Sequence, residues 1–264
     1  MNDFLTAGCE AARIAGKILR DYRLTFKKRE KGPRDLVTDA DEDAQKAIES
    51  FLKDCFPDHA FLGEESSEAV RQAARASGKL LWVVDPLDGT ANYVHGLNMF
   101  AVSIALVRGD QVLAGVVYDP IAEEMFTATS DGPALLNGTP IHSSGCRELN
   151  EAMIAASFPA GVRRDDPEVD QFLCVLEDSQ SVRRLGSAAL NLCYVSQGSL
   201  DGYWASNVQT WDIAAGILIA ERAGALTLDV SGGPFQLWQP RPLVTSTLQL
   251  QAELLRCIQH AGTK

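Results

Sequence analysis

Two aspartates, Asp85 and Asp88, follow the apolar run Leu80-Leu81-Trp82-Val83-Val84 and precede Gly89 and Thr90. The run reads as a buried strand that passes into a turn at the first acid. Ionised carboxylates beside a hydrophobic core need a counter-charge, and for acids this close a divalent metal is the simplest one. Magnesium takes carboxylate oxygens in octahedral geometry and keeps several waters. The D-x-x-D spacing lets the two carboxylates flank the Leu87 carbonyl and share metals. Asp88-Gly89-Thr90 at a helix start would present backbone N–H groups to a phosphate, with Gly89 allowing close approach. Asp212, after Trp211, is a third acid placed where an element begins. Metals beside an anion site suit phosphoryl transfer to water. The same loop also reads as a helix cap with a surface acid. A covalent aspartyl nucleophile is disfavoured, because that signature is D-x-D-G-T and here Pro86 and Leu87 both separate the acids.

The elements that must hold these residues follow from periodicity. Phe4, Leu5, Ala11, Ala12, Ala15, Ile18, Leu19 and Tyr22 recur at helical spacing, predicting a first helix to about Arg23. The basic segment from Lys27 to Arg34 closes on a Gly32-Pro33 turn and reads first as a solvated hairpin. Thr38 and Asp41 resemble a capping box before a helix whose apolar face runs from Ala44 to Cys55. The short strand Ala60-Phe61-Leu62 ends in Gly63-Glu64-Glu65-Ser66. Residues 101–107, 111–118 and 124–128 read as antiparallel strands, with a further turn at 135–140. Beyond a boundary near residue 145 strands and helices alternate again: strands at 152–157, 181–185, 201–204, 225–229 and 243–246, with helices opening at Pro167, Ser187, Trp211 and Gln249. This order predicts an α+β or layered α/β architecture rather than a doubly wound sheet.

A chain of 264 residues with 46% hydrophobic content can bury a large core. Its formal net charge of −11 argues against nucleic acid or an anionic membrane as partner. If the substrate is anionic, bound cations must reverse the local sign. The six cysteines form no C-x-x-C pair, so the spacing carries no zinc or redox signal, and several fall on apolar helix faces. Free thiols point to a reducing, cytoplasmic setting. The N-terminal stretch lacks the basic lead and apolar core of a signal peptide, and no apolar run reaches membrane-spanning length.

Taken together, several motifs in order resemble the inositol monophosphatase family over nearly the whole chain. They are Asp35-Leu36-Val37-Thr38 with Asp41; Gly63-Glu64-Glu65-Ser66; Trp82 to Thr90 with Asn92-Tyr93-Val94-His95-Gly96; Gly186-Ser187-Ala188-Ala189; and Trp211-Asp212-Ile213-Ala214-Ala215-Gly216. The resemblance implies a five-layer αβαβα sandwich, one domain over 1–264 with a metal-site half (1–145) and a substrate half (146–264). It implies hydrolysis of a phosphomonoester dependent on two or three Mg²⁺ and inhibited by Li⁺, carried out by a homodimer. Glu64, Asp85 and the Leu87 carbonyl would hold the first metal, and Asp85, Asp88 and Asp212 the second. A third, weaker metal would lean on Glu64. Thr90 with Asp41 would orient and deprotonate the attacking water. The Gly89 and Thr90 amides would bind phosphate, and Gly186, Ser187 and Ala188 would line the hydroxyl-bearing part of the substrate.

The chain departs from the family pattern at Ala205, where many inositol-specific members carry a Glu that contacts substrate hydroxyls. This puts the preference for inositol in question without touching the metal chemistry; Ser206 or Asn207 are possible substitutes. Lys31 is the nearest counterpart of the family's loop lysine. His95 reads as a rim residue, and Trp82 and Trp211 as packing. The expected substrate is a small polyol or sugar phosphate, inositol monophosphate first. The alternatives are histidinol phosphate, a nucleotide 3′-phosphate or fructose 1,6-bisphosphate, and, from another class, a regulatory binding protein that keeps the fold.

Overall fold

Leu81, Trp82, Val83 and Val84 alternate between two hydrophobic cores, Leu81 and Val83 on one side and Trp82 and Val84 on the other. A strand apolar on both faces must lie between layers, and this one is a central strand of the larger sheet. The computed structural model describes residues 2–32, 35–159 and 161–261. The Gly32-Pro33 turn and the Lys31 side chain lie outside the described residues.

The chain begins with helix α1 (Asn2–Tyr22), the hairpin β1 (Lys28–Gly32) and β2 (Asp35–Thr38), and α2 (Asp39–Cys55). The larger sheet follows: β3 (Ala60–Gly63), β4 (Leu81–Asp88), β5 (Ala101–Arg108), β6 (Gln111–Asp119), β7 (Glu124–Thr129), and two-residue strands β8 (Leu135–Leu136) and β9 (Thr139–Pro140). Its seven strands lie in chain order, β3 parallel to β4 and the rest antiparallel. Helix α3 (Glu68–Ala76) precedes β4, and the short α4 (Thr90–Val94) follows it.

The smaller sheet has the order β11-β10-β12-β14-β13 and mixes parallel and antiparallel pairs. Its strands are β10 (Met153–Ser157), β11 (Ser181–Arg183), β12 (Gly202–Ala205), β13 (Leu226–Asp229) and β14 (Pro242–Thr245). Helices α5 (Pro167–Asp178), α6 (Ala188–Ser196), α7 (Thr210–Arg222) and α8 (Leu248–Gln259) complete the chain.

Three hydrophobic cores define five layers. One joins α1 and α2 to the larger sheet through Ala11, Ala15, Ile48, Trp82 and Val116. The second holds α6 and α7 between the sheets, through Val83, Leu192, Ile213 and Tyr203. The third seals the smaller sheet under α5 and α8 through Ile154, Val175, Trp204 and Leu254. The order is helix, sheet, helix, sheet, helix, the layered α/β sandwich expected from the motifs.

One element differs from its sequence reading. The strand does not stop at Val84; β4 runs through Asp88. Asp85 pairs with Ser103 and Asp88 with Ala101, so Pro86 and Leu87 together oppose Val102. This is a β-bulge with one extra residue. Regular alternation would place residues three apart on opposite faces. The bulge resets the alternation: Leu87 joins Trp82 and Val84 in the α1–α2 core, and Asp85 and Asp88 both face the α6–α7 layer.

Candidate active site

The expected acids are delivered by element ends and by the bulge inside β4. Glu64 follows β3, and its amide donates to the Val84 carbonyl at 3.0 Å. Parallel pairing of Gly63 with Val84 therefore sets Glu64 beside Asp85. The loop is braced from α2, where Gln45 Oε1 accepts from the Glu65 amide at 2.8 Å. Asp85 is 2% exposed and Asp88 8% exposed. Asp85 Oδ1 accepts from the Leu87 amide at 2.9 Å, which turns the bulge back on itself. Asp88 Oδ2 accepts from the Ser187 hydroxyl and from the Ala189 amide at the start of α6.

Asp212 sits at the third position of α7 in a capping box with Gln209, whose amide donates to Asp212 Oδ2 at 2.8 Å. Ser103, opposite Asp85 on β5, donates to the Trp211 carbonyl at 3.0 Å and so ties α7 to the larger sheet. Asp41 occupies the equivalent position of α2, accepting from the Thr38 amide at 2.9 Å and the Thr38 hydroxyl at 2.5 Å. The N-termini of α2, α6 and α7 thus each hold one site carboxylate, where backbone N–H groups favour negative charge.

The electrostatics call for a cation. Burial raises the Asp85 carboxyl well above its ordinary range, and Glu64, Asp88 and Asp212 raise it further. Burial pushes Asp88 up to about 6 against the downward pull of Ser187 and Ala189. Asp212 is raised well above the usual range by burial, then by Asp88 and Glu64. Hydrogen bonds from amides and hydroxyls alone do not offset the cost of dehydrating several like charges together.

The donors are all oxygen, the chemistry of hard cations such as magnesium. The residues fit such a group: Glu64, Asp85, the Leu87 carbonyl, Asp88 and Asp212 are the oxygen donors that would hold it. Among the described residues no three of these acid oxygens lie within 4.8 Å of one another, so Asp85, Asp88 and Asp212, expected around one ion, are not closed to a single coordination shell here.

Thr90 and Asp41, far apart in sequence, meet. The Thr90 hydroxyl lies 3.3 Å from Asp41 Oδ1 and 3.1 Å from the Leu87 carbonyl oxygen. Gly89 starts α4 at φ 94°, and a Cβ there would stand 2.8 Å from the Met99 carbonyl oxygen. Gly186 has φ 84°, and a Cβ would meet Asn92 Nδ2 at 2.7 Å. That amide donates to the carbonyls of Met99 and Leu185, each at 2.7 Å, and binds the loop before α6 to the loop after α4.

Asp88 and Asp212 open into a cleft of about 440 Å³ with Gly186 and Ala188 on its wall. Ser157, Phe158, Arg184 and Asn207 form the rest of the rim. A larger cavity of about 560 Å³ beside Phe235 and Trp238 contains none of the site acids.

Two expected substrate contacts are placed elsewhere. The Ser187 side chain is buried and turned to Asp88, so it positions the acid instead of facing the cleft. Ala205 is fully buried in the core between the sheets, and the cleft wall at that end is Asn207 and Val208. A small side chain at the inner end of β12 packs inward. His95 is exposed and Trp82 buried, as read. Trp211 is partly buried, with the Arg71 guanidinium 5.0 Å from its ring centre.

Sequence reasoning missed Gln45, Asn92, Ser103 and Arg184. Arg184, over the Phe158 ring at 4.8 Å, is the cation on the cleft rim. Its position just before Gly186 was the available signal.

Comparison with known proteins agrees. The sequence profile of the inositol monophosphatase family matches residues 1–263. Inositol monophosphatase 2 of Solanum lycopersicum is 40% identical over 252 residues, covering 93% of this chain and 94% of that protein. Nus factor SuhB of Pasteurella multocida is 36% identical over 263 residues, covering 98% and 97%. The solved structure of extragenic suppressor protein suhB from Bartonella henselae superposes with a TM-score of 0.89 at 35% identity, covering 97% of this chain and 98% of that one. The chain belongs to the inositol monophosphatase family and is, with it, a phosphoric monoester hydrolase.

Proposed function

We propose that the protein hydrolyses a small phosphorylated polyol, inositol monophosphate first, with Mg²⁺ held by Glu64, Asp85, the Leu87 carbonyl, Asp88 and Asp212. The observation that carries this reading is the set of buried carboxylates whose ionisation is suppressed by burial and mutual repulsion. When bound, two or three Mg²⁺ ions would lower the pKa of water and neutralise charge on the phosphoryl group.

The chain's own residues do the rest. Thr90 accepts a hydrogen bond from the attacking water while donating to Asp41, so Asp41 supplies the basicity and Thr90 the direction. The Thr38 amide and hydroxyl hold the Asp41 carboxylate in place. Gly89, with no side chain, lets backbone N–H groups at the start of α4 approach phosphate oxygens. Arg184 meets the anion at the rim, and Gly186, Ala188 and Asn207 face the alcohol portion. The bulge in β4 keeps both central acids on one side of the transferring group.

Phosphate release from a panel of phosphomonoesters, with chelator, with Mg²⁺ and with added Li⁺, tests the reading. Inositol monophosphates are expected to lead the panel and Li⁺ to inhibit. A panel led by histidinol phosphate, a nucleotide 3′-phosphate or fructose 1,6-bisphosphate overturns the substrate assignment. By family resemblance we also take the protein as a homodimer, which sedimentation checks.

A second reading, a regulatory binding role beside hydrolysis, rests on the near full-length match to a protein named Nus factor SuhB. A cellular phenotype of gene loss that Asp88→Asn rescues fully would support it, and failure of that variant to rescue would remove it.

A further inference from the structure

A second cluster of metal-ligand side chains lies at α5 and α8, on the far side of the smaller sheet from α6 and α7. Cys174 and Asp178 stand one turn apart on α5, and Cys257 lies near the end of α8. Ligand atoms of all three come within 4.8 Å of one another. Cys257 is buried, Cys174 partly buried and Asp178 exposed. They line a cavity of about 530 Å³ shared with Glu148, Glu253 and His260. His260, three residues after Cys257 at the C-cap of α8, lines the same cavity.

We propose that this seam is a structural site for a zinc-class divalent cation, bound by Cys174, Asp178 and Cys257 with His260 as fourth donor. Two thiolates, a carboxylate and an imidazole form a tetrahedral set for such an ion. At a zinc–sulfur length of about 2.3 Å the two sulfurs stand roughly 3.8 Å apart. The observed approach of the three ligand atoms, within 4.8 Å of one another, is compatible with that spacing. Thiolate donors select zinc over magnesium, which separates this site chemically from the all-oxygen cluster around Asp85. The balance is simple: the ion enters, both thiols lose their protons to solvent, and no electron moves. Glu148, Asp178 and Glu253 outnumber the one cation on the same cavity wall, Arg256, so the seam carries net negative charge. The ion would clamp α8 to α5, and neither helix lines the cleft that holds Asp88 and Asp212.

Cobalt provides the test, because cobalt bound to sulfur gives a thiolate charge-transfer band that carboxylate-bound cobalt lacks. Reduced, metal-stripped full-length protein is titrated anaerobically with Co²⁺, then with Zn²⁺. The expected result is a thiolate band that Zn²⁺ bleaches, together with a rise in melting temperature on adding Zn²⁺. Cys174→Ser is expected to lose the band and to show a smaller rise, what remains being due to the carboxylate cluster around Asp85. Asp178→Asn alters an exposed side chain and keeps the fold testable; it is expected to weaken Zn²⁺ binding by about tenfold or more. Mg²⁺-supported phosphate release should be unchanged in both variants. Absence of the band in reduced wild-type protein, or its persistence in Cys174→Ser, overturns the proposal.

Discussion

Asp88 is shared between fold and chemistry: its carboxylate caps α6 through Ser187 and Ala189 while facing the cleft with Asp212. In metal-free protein its pKa is about 6, against 3.8 for an ordinary aspartate, and Asp85 and Asp212 are displaced the same way. The folded chain therefore binds more protons than the unfolded one across that interval. The contribution of these groups to stability is lost as pH rises from the unfolded value through the folded one. Metal-free wild type is expected to lose more stability than Asp88→Asn between about pH 4 and pH 7, and saturating Mg²⁺ is expected to remove the difference. Thermal unfolding across pH, with and without Mg²⁺, checks this; equal slopes for the two proteins contradict it. Ser187→Ala leaves the proposed metal ligands intact but removes the hydroxyl that donates to Asp88. It is expected to lower Mg²⁺ affinity or turnover by about 10–100-fold, read from Mg²⁺ titration of phosphate release; an effect on KM for substrate alone would instead make Ser187 a substrate contact.

At the scale of elements, the site depends on one bulge and three helix starts. The bulge was illegible in the sequence because Asp85-Pro86-Leu87-Asp88 breaks the apolar alternation that marks a strand, and pairing with Ala101 is a tertiary fact. Asp41 was legible as a capping residue and Asp212 as an acid at a helix start, and the structure puts each at the third position of its helix in a capping box: a cap holds a carboxylate at a helix end, which is where a ligand can reach it. Ser187 and Ala205 were misplaced for the converse reason, since sequence position alone does not say which way a side chain points. The tight α4 entry makes a further prediction. Gly89→Ala combines a positive φ with a Cβ 2.8 Å from the Met99 carbonyl oxygen. It is expected to cost about 1–3 kcal/mol, measured by denaturant unfolding; a neutral result would mean that the turn yields easily.

For the whole molecule, a layered arrangement of sheets and helices was within reach of periodicity because the long strands and α1, α2 and α8 carry apolar faces, while the five layers followed only from the motif resemblance and the meeting of distant residues was not legible. Glu64 reaches Asp85 only through β3–β4 pairing, and Asp212 reaches both acids only because α7 packs on the larger sheet. The same limit hid the approach of Cys174 to Cys257, which no C-x-x-C spacing announces. What the layers accomplish is to bring the β4 bulge, the end of β3 and the starts of α6 and α7 together beside one cleft, with the start of α2 joined to them through Thr90. The most direct test of that arrangement is the Mg²⁺ dependence of phosphate release from inositol monophosphate in wild type and Asp88→Asn. Chelator-stripped wild type should be inactive and recover with Mg²⁺. Asp88→Asn should stay folded yet fall by about a thousandfold, since several kcal/mol of charge stabilisation are lost at roughly 1.4 kcal/mol per factor of ten. Full turnover in chelator, or near wild-type turnover in Asp88→Asn, would contradict the assignment of these acids as the metal-holding centre of the enzyme.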